Sequence, residues 1–175
     1  MNAPIGVFDS GVGGLSVLRE IRRALPHERL LYVADSLHAP YGERDEDFIA
    51  TRADAIVDFL VAQGAKAIVI ACNTATAVAV AALRSRHALP IVAIEPALKP
   101  AASLTRSGVV GVMATRQTLA SDAFRRLAER HAPDVRLVLE PCPGLVEQIE
   151  RGELTGTAAQ ARVAGLVKQI GRAHV

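Results

Sequence analysis

Short runs of β-branched and apolar residues alternate along the chain with longer segments in which apolar residues recur every three or four positions. The short runs predict buried strands, and the longer spacing predicts amphipathic helices. In the first half we predict four strands and three helices: strands at 4–8, 30–34, 67–71 and 91–94, and helices at 15–25, 45–63 and 74–86. Pro26 and Gly64 follow two of these helices as typical stop signals.

The same pattern restarts after residue 107. Here we predict strands at 108–113 and 135–139, and helices at 117–131, 145–151 and 157–169. Segment 95–107 contains two prolines and little strand character, which predicts a hinge. Repeated strand–helix units predict an α/β fold with mostly parallel sheets flanked by helices. We therefore expect two lobes, 1–95 and 96–169.

Composition narrows the class of protein. The chain has 175 residues, half of them apolar, which favours a folded core over disorder. A net charge of +2 and 3% aromatic residues argue against a nucleic-acid surface. The N-terminus lacks signal-peptide features and no apolar run is long enough to span a membrane, which favours a cytoplasmic location. The two cysteines, Cys72 and Cys142, are expected to be free thiols, and no metal framework is predicted.

Ligands of open parallel sheets bind at the carboxyl ends of the strands, so the residues that follow each strand are the candidates for a site. Small polar groups and one thiol stand at these positions: Asp9, Ser10, Asp35, His38, Tyr41, Gly42, Cys72, Asn73, Thr74, Glu95 and Thr115.

The step Cys72-Asn73-Thr74 carries the sharpest chemical signal. A cysteine between a strand and a helix faces unpaired amides and the positive end of the helix dipole, and both favour the thiolate. Thr74 is a plausible N-cap, and Asn73 can bind a small carboxylate ligand. The alternative is a buried structural cysteine, since free cysteines are often buried.

The glycine turn that follows the first strand, 9–14, has three interpretations. It can cradle phosphate, although the third glycine of the dinucleotide pattern is replaced by Ser16 and no P-loop lysine follows. It can simply allow close packing of helix and strand. It can also present Asp9 and Ser10 to the amino and carboxylate groups of a ligand.

The remaining candidates are also open to two interpretations. Tyr41 and Gly42 can bind a ligand or form a turn with a packed ring. His38 is a candidate base or a solvated loop residue, and Glu95 can touch a ligand or cap the hinge segment. Cys142 is interpreted as structural, because Pro143 after it lacks an N–H group.

Several stretches together resemble one family, the bacterial glutamate racemases of the aspartate/glutamate racemase superfamily. They are Gly6 to Leu15, Ala34-Asp35-Ser36, Pro40-Tyr41-Gly42, Ala71 to Thr76, Gly108 to Val112 with Ala114, Thr115 and Thr118, and Cys142 to Glu147. The match runs in order through about Gln169. Their joint occurrence makes the resemblance more specific than any single motif.

The resemblance implies a cofactor-independent isomerase that interconverts L- and D-glutamate and supplies D-glutamate for peptidoglycan. It implies a cytoplasmic enzyme, a homodimer, with two lobes that each give one acid/base cysteine. Carried over, Cys72 is one of these cysteines and Asp9 is the carboxylate that assists it. The positions implied to bind substrate are Ser10, Tyr41, Gly42, Asn73 and Thr74, with Thr115 as a weaker contact from the second lobe.

The sequence departs from the family in one respect. The family's second cysteine lies in a Gly-Cys-Thr-His segment, which this chain lacks, and Cys142 matches a different position. Family chains are also roughly half as long again. We therefore expect a C-terminally truncated racemase with an incomplete second lobe, a non-native tail at 170–175, and no racemisation by the chain alone.

Two alternatives remain open at this point. One is another enzyme of the superfamily, either an aspartate racemase or a one-cysteine decarboxylase; a one-cysteine chemistry would explain the absent second thiol. The other is a phosphate- or nucleotide-binding α/β module built on the glycine turn.

Overall fold

The computed structural model describes residues 3–174, so Val175 of the predicted tail lies outside the described residues. The chain divides into two compact units, the first ending at Glu95 and the second beginning at Pro96. Within the described part of the chain, no helix combines the length and apolar character that crossing a membrane requires.

The first unit is a parallel α/β layer structure. Its strands are β1 (Ile5–Asp9), β2 (Leu30–Ala34), β3 (Ala67–Ile70) and β4 (Ile91–Ala93). Its helices are α1 (Leu15–Ala24), α2 (Glu46–Ala62) and α3 (Asn73–Arg86), with a short 3-10 helix at Tyr41–Glu43. The strands pair in the order β2-β1-β3-β4, and every pair is parallel.

Alternation of side chains along the strands gives this sheet two buried faces. Phe8 and Ile70 point to one face, where they pack with residues of α2 and α3 such as Leu60 and Leu83. Val7 lies on the other face, in a cluster that α1 covers with its partly buried side chains Val17, Leu18 and Ile21. Helices therefore lie on both faces of the sheet, as the alternating pattern predicts.

The second unit has the same kind of layers on a smaller scale. Its strands are β5 (Val109–Ala114) and β6 (Arg136–Pro141), which pair in parallel. Its helices are α4 (Leu98–Leu104), α5 (Arg116–Ala120), α6 (Asp122–His131), α7 (Leu145–Glu150) and α8 (Thr157–His174).

The core of the second unit also uses both faces of its sheet. Leu98, Val112, Phe124 and Leu127 form a buried cluster that joins α4 and α6 to β5. Helix α8 includes residues 170–174, and a Cβ atom added to Gly111 of β5 would meet Ile170. The non-native origin of residues 170–175 stays a prediction.

Two local expectations are wrong, and one helix was not predicted. The predicted helix 117–131 is broken at Ser121, whose extended backbone ends α5 and whose hydroxyl caps α6 by accepting from the Phe124 amide. The predicted hinge segment contains α4, held by the buried Leu98. The N-cap of α3 is Cys72 instead of Thr74, because the Cys72 Sγ accepts a hydrogen bond from the amide of Ala75.

The glycine turn packs closely against the first sheet. A Cβ atom on Gly14 would lie 2.6 Å from the Asp9 Cβ, 2.9 Å from the Tyr32 hydroxyl and 3.1 Å from the Ala71 Cβ. The backbone of Gly14 has an ordinary helical φ of −64°, so the constraint is steric. A Cβ atom on Gly13, by contrast, would have the Asp9 Oδ2 as its nearest neighbour, at 3.5 Å.

We expect Gly14→Ala to lower the free energy of unfolding by about 1–3 kcal/mol, the usual cost of overpacking. Gly13→Ala is the matched control, and we expect a change well below that range because its added methyl group has room. Urea unfolding followed by circular dichroism measures both. Equal effects of the two substitutions would contradict the steric argument.

Candidate active site

Parallel pairing brings the ends of three strands together at one edge of the first sheet. Asp9 pairs with Ala34, and Phe8 pairs with Ile70. The ladder continues one residue further, since the Asp35 amide donates to the Asp9 carbonyl at 3.0 Å and the Ala71 amide to the Phe8 carbonyl at 2.7 Å. The polar residues that follow β1, β2 and β3 therefore occupy one edge, as predicted from the sequence.

Cys72 lies at this edge as a buried thiol, 5% exposed. Its Sγ accepts a hydrogen bond from the Ala75 amide at 3.4 Å and lies 3.5 Å from the Ser10 hydroxyl oxygen. The thiol therefore contacts the start of α3 on one side and the residue after β1 on the other. Both contacts stabilise negative charge on sulfur.

Burial nevertheless raises the pKa of the Cys72 thiol, and the negative charge of Asp9 raises it further. The hydrogen bonds from Ser10 and Ala75 act in the opposite direction without reversing the shift. The amide at the helix start therefore favours the thiolate, as predicted, but the net shift of the Cys72 pKa is upward. The helix start only partly offsets the cost of placing a charge in a dry site beside a carboxylate.

Asp9 is buried, and its carboxylate faces the glycine turn. Its Oδ2 accepts a hydrogen bond from the Gly14 amide at 2.8 Å, directly before α1. A second hydrogen bond holds the turn, because the Tyr32 hydroxyl donates to the Gly11 carbonyl at 2.8 Å. The protein's own carboxylate thus uses an amide that a phosphate would need, which disfavours the nucleotide-binding interpretation.

Asp35 is the centre of a second polar cluster at this edge. Arg52 of α2 donates to both carboxylate oxygens, from Nε and from Nη2, each at 2.9 Å. The Tyr41 hydroxyl donates to Oδ2 at 2.6 Å, and His38 Nδ1 lies 2.9 Å from Oδ1. We name these four residues, Asp35, His38, Tyr41 and Arg52, the Asp35 cluster.

The cluster keeps Asp35 ionised although it is only 7% exposed. Burial by itself would raise the pKa of this carboxyl, but hydrogen bonds from Arg52, Tyr41 and His38 outweigh it and lower the pKa to about 2. The pKa of Tyr41 is raised far above its usual value by burial and by the adjacent Asp35 carboxylate, so its hydroxyl stays protonated.

The other predicted binding residues of the first unit differ in exposure. Asn73 is exposed, Ser10 is partly buried, and Gly42 and Thr74 are buried. Tyr41 is 1% exposed, and its ring contacts Phe8 and Phe48. Its side chain is therefore a packed ring whose hydroxyl is committed to Asp35.

Arg52 is the functional candidate that sequence reasoning missed. The helical spacing around Arg52 could have indicated it. Arg52 lies three residues after Ile49 and four before Ile56, both buried, so it lies on the apolar face of α2. A charged residue on that face needs a buried partner. The sequence does not show that this partner is Asp35, 17 residues earlier.

In the second unit, Thr115 follows β5 and caps the short helix α5. Its Oγ1 accepts from the Thr118 amide at 3.2 Å and lies 2.9 Å from the buried Thr118 hydroxyl. Cys142 follows β6, and its Sγ donates to the Glu140 carbonyl at 3.3 Å. Burial raises the pKa of Cys142, and so does Glu140. Glu95, the last residue of the first unit, is exposed.

The fold and this site define a class: parallel α/β proteins with a buried thiol and carboxylate at the carboxyl edge of the sheet. The profile of the Asp/Glu/Hydantoin racemase family matches residues 5–173. The chain therefore belongs to the Asp/Glu/Hydantoin racemase family.

Named relatives narrow the comparison. A glutamate racemase of Ectopseudomonas mendocina is 60% identical over 169 residues, which is 96% of this chain and 64% of the relative. A glutamate racemase of Pseudomonas aeruginosa strain PAO1 is 58% identical over 170 residues, 97% of this chain and 64% of the relative. The chain thus spans about 64% of the length of these curated relatives.

Solved structures of glutamate racemases are also similar to this chain. Escherichia coli glutamate racemase, crystallised with L-glutamate and the activator UDP-MurNAc-Ala, has a TM-score of 0.85 and 37% identity over 95% of this chain and 64% of its own. The Francisella tularensis glutamate racemase in complex with D-glutamate has a TM-score of 0.83 and 32% identity over 96% of this chain and 63% of its own.

The environment of Cys72 predicts that two substitutions shift the pKa of its thiol in opposite directions. In a Cys142→Ser background, Ser10→Ala is expected to raise the pKa of Cys72, because a hydrogen bond to sulfur is lost. Asp9→Asn is expected to lower it, because a nearby negative charge is removed. Thiolate absorbance measured against pH reports both shifts.

Ser16→Ala serves as the control, since the Ser16 hydroxyl donates to the Gly13 carbonyl in the same turn and is exposed. It is expected to leave the titration unchanged. Shifts of the same sign for Ser10→Ala and Asp9→Asn would contradict the described balance.

Asp35 should make stability depend on pH. Its folded pKa of about 2 lies below the ordinary value of 3.8, so its contribution is complete above about pH 5 and declines as pH falls toward 2. We expect Asp35→Asn to lower the free energy of unfolding by about 2 kcal/mol at neutral pH and by less at pH 3, measured by urea unfolding.

Glu20→Gln, at an exposed site on α1, is the control, and its effect on the free energy of unfolding should stay small at both pH values. A cost of Asp35→Asn that does not fall with pH would contradict the ionised cluster.

Proposed function

We propose that the protein is an isomerase that interconverts L- and D-glutamate by cofactor-independent proton transfer, and that this chain carries the first of its two thiols. One observation carries the proposal: the Cys72 thiol at the start of α3 contacts Ser10 and lies within the field of Asp9. The names of the relatives and of the solved structures support glutamate as the substrate.

The proposed reaction starts at the Cα–H bond of glutamate. The Cys72 thiolate takes the α-proton and becomes a thiol, while the electron pair of the broken bond stays on the substrate as a carbanion delocalised into its carboxylate. A thiol on the opposite face then gives a proton to Cα and becomes a thiolate. Inversion needs groups on both faces of one carbon, and a thiol is suited to both roles.

Asp9 is proposed to assist Cys72. Burial and then the Asp9 charge raise the pKa of the thiol. An amino-acid substrate brings an ammonium group, and its positive charge next to Asp9 and Cys72 would favour the thiolate at the moment of reaction.

The substrate contacts are proposed from where the residues lie. Ser10 and Asn73 offer side-chain donors, and Thr74 adds a buried hydroxyl-bearing side chain at the start of α3. Tyr41 and Gly42 are proposed to act through their amides, because they open the 3-10 helix, where N–H groups lack helical partners. Such amides suit a substrate carboxylate. Thr115 remains a proposed contact contributed by the second unit.

The protein is further proposed to supply D-glutamate for peptidoglycan, to work in the cytoplasm and to be a homodimer. This chain has two cysteines, and Cys142 is engaged with the backbone of Glu140. We therefore expect the chain by itself not to racemise glutamate. Exchange of the α-proton of one enantiomer needs only one thiol and can still occur through Cys72.

This chemistry predicts that the chain slowly incorporates deuterium at Cα of one enantiomer of glutamate in heavy water. Cys72→Ala is expected to abolish the exchange, because no other thiol replaces the base. Proton NMR of the α-position measures the exchange, and circular dichroism of the amino acid measures racemisation.

Cys142→Ser is the matched control, since it removes the other cysteine of the chain, and it should exchange at the rate of the unmodified chain. Exchange that survives in Cys72→Ala would refute the role of Cys72. Robust racemisation by the chain would refute the need for a second thiol from elsewhere.

A further inference from the structure

The Asp35 cluster contains one residue that does not belong to the loop it organises. Asp35, His38 and Tyr41 all lie in the segment between β2 and α2. Hydrogen bonds among these three shape the segment but do not fix it against the rest of the unit. Arg52 comes from α2, so its bonds to Asp35 tie the segment to a separate, rigid element.

Helix α2 is a firm anchor. Ile49, Ala53 and Ile56, which surround Arg52 on the apolar face, are between 0% and 5% exposed. The guanidinium fork reaches both oxygens of the carboxylate, and this two-point contact sets the plane of the Asp35 side chain as well as its position. The bond from the Asp35 amide to β1 fixes only the backbone of that residue.

The orientation of the Asp35 carboxylate then fixes the direction of the Tyr41 hydroxyl bond. The Tyr41 hydroxyl donates to Oδ2, the same oxygen that accepts from Arg52 Nε. The ring of Tyr41 is 1% exposed and packs against Phe8 and Phe48, so its hydroxyl is held beside this carboxylate. Because Tyr41 opens the 3-10 helix and Gly42 follows it, the backbone amides of both residues move with that ring.

We propose that Arg52 is a positioning residue that, through the carboxylate of Asp35, holds the amides of Tyr41 and Gly42 in place for a substrate carboxylate. The proposal rests on the proposed function for the identity of that substrate. The geometric part of the proposal, the coupling of Arg52 to the Tyr41–Gly42 turn, is independent of it.

Charge strengthens the arrangement. Two buried carboxylates, Asp9 and Asp35, lie at an edge that is proposed to bind an anionic amino acid. Arg52 neutralises Asp35, so the turn is not opposed by an uncompensated negative charge. A lysine at position 52 would preserve the charge but would lose the fork and its fixed plane.

The test compares Arg52→Gln and Arg52→Lys with Arg84→Gln. Arg84 is a suitable control because it also donates through Nε and Nη2, to the Ile91 carbonyl, away from the turn. Backbone amide shifts of residues 41 and 42 and the phenol carbon shift of Tyr41 are read by NMR. Glutamate affinity is measured by titration of the same samples.

Both substitutions at Arg52 should move the NMR signals of Tyr41 and Gly42, while Arg84→Gln should leave them in place. Arg52→Gln should weaken glutamate binding about tenfold, the equivalent of one well-formed hydrogen bond. The glutamate affinity of Arg52→Lys should lie between those of Arg52→Gln and the unmodified chain. Unchanged signals of residues 41 and 42 in Arg52→Gln would overturn the proposal. If Arg52→Gln does not fold, Arg52→Lys decides by the same signals.

Failure of the proposed function has a different signature. If the unmodified chain does not bind glutamate, glutamate as the ligand of this site is refuted, and the NMR comparison still decides whether Arg52 fixes the turn. If glutamate binds normally to Arg52→Gln while the signals of Tyr41 and Gly42 move, the turn does not hold the substrate and the positioning role is refuted.

Discussion

The parallel pairing of β1 with both β2 and β3 is the constraint on which the site depends. Because all three strands run in the same direction, their carboxyl ends meet at one edge, and each strand delivers the residue that follows it to the same place. Asp9, Asp35 and Cys72 are separated widely in sequence, but Asp9 ends β1 while Asp35 and Cys72 follow the adjacent strands β2 and β3. A different strand order would leave the same residues without a common site.

The edge combines two polar arrangements with different roles. Around Cys72, hydrogen bonds from Ser10 and the start of α3 only partly offset burial and the nearby Asp9 charge, so the thiol keeps a raised pKa until something else changes its surroundings. Around Asp35, by contrast, hydrogen bonds outweigh burial, and the carboxylate stays charged. The first arrangement favours the neutral thiol, and the second favours the ionised carboxylate.

Much of the fold follows from pattern alone. Strands such as 30–34 were predictable to the residue, because short apolar runs bounded by turns leave few alternatives. The failures have local physical causes. Ser121 interrupts a continuous apolar periodicity because its hydroxyl caps a new helix. The segment after Glu95 is helical because Leu98 packs into a buried cluster. The Ser121 cap is local but is hidden by the continuous apolar spacing, whereas the burial of Leu98 depends on contacts with other elements.

The sequence by itself determined the parallel α/β class, the residues that follow the strands and the resemblance that the family match confirmed. It also indicated that Cys72, and not Cys142, is the candidate reactive thiol. Only the tertiary structure decided that Cys72 caps its own helix, that its pKa is raised, and that the Tyr41 hydroxyl serves Asp35. The structure also revealed Arg52 as the partner of that carboxylate. Hydrogen-bond partners and burial depend on which elements pack together, and that information lies between segments that are distant in the chain.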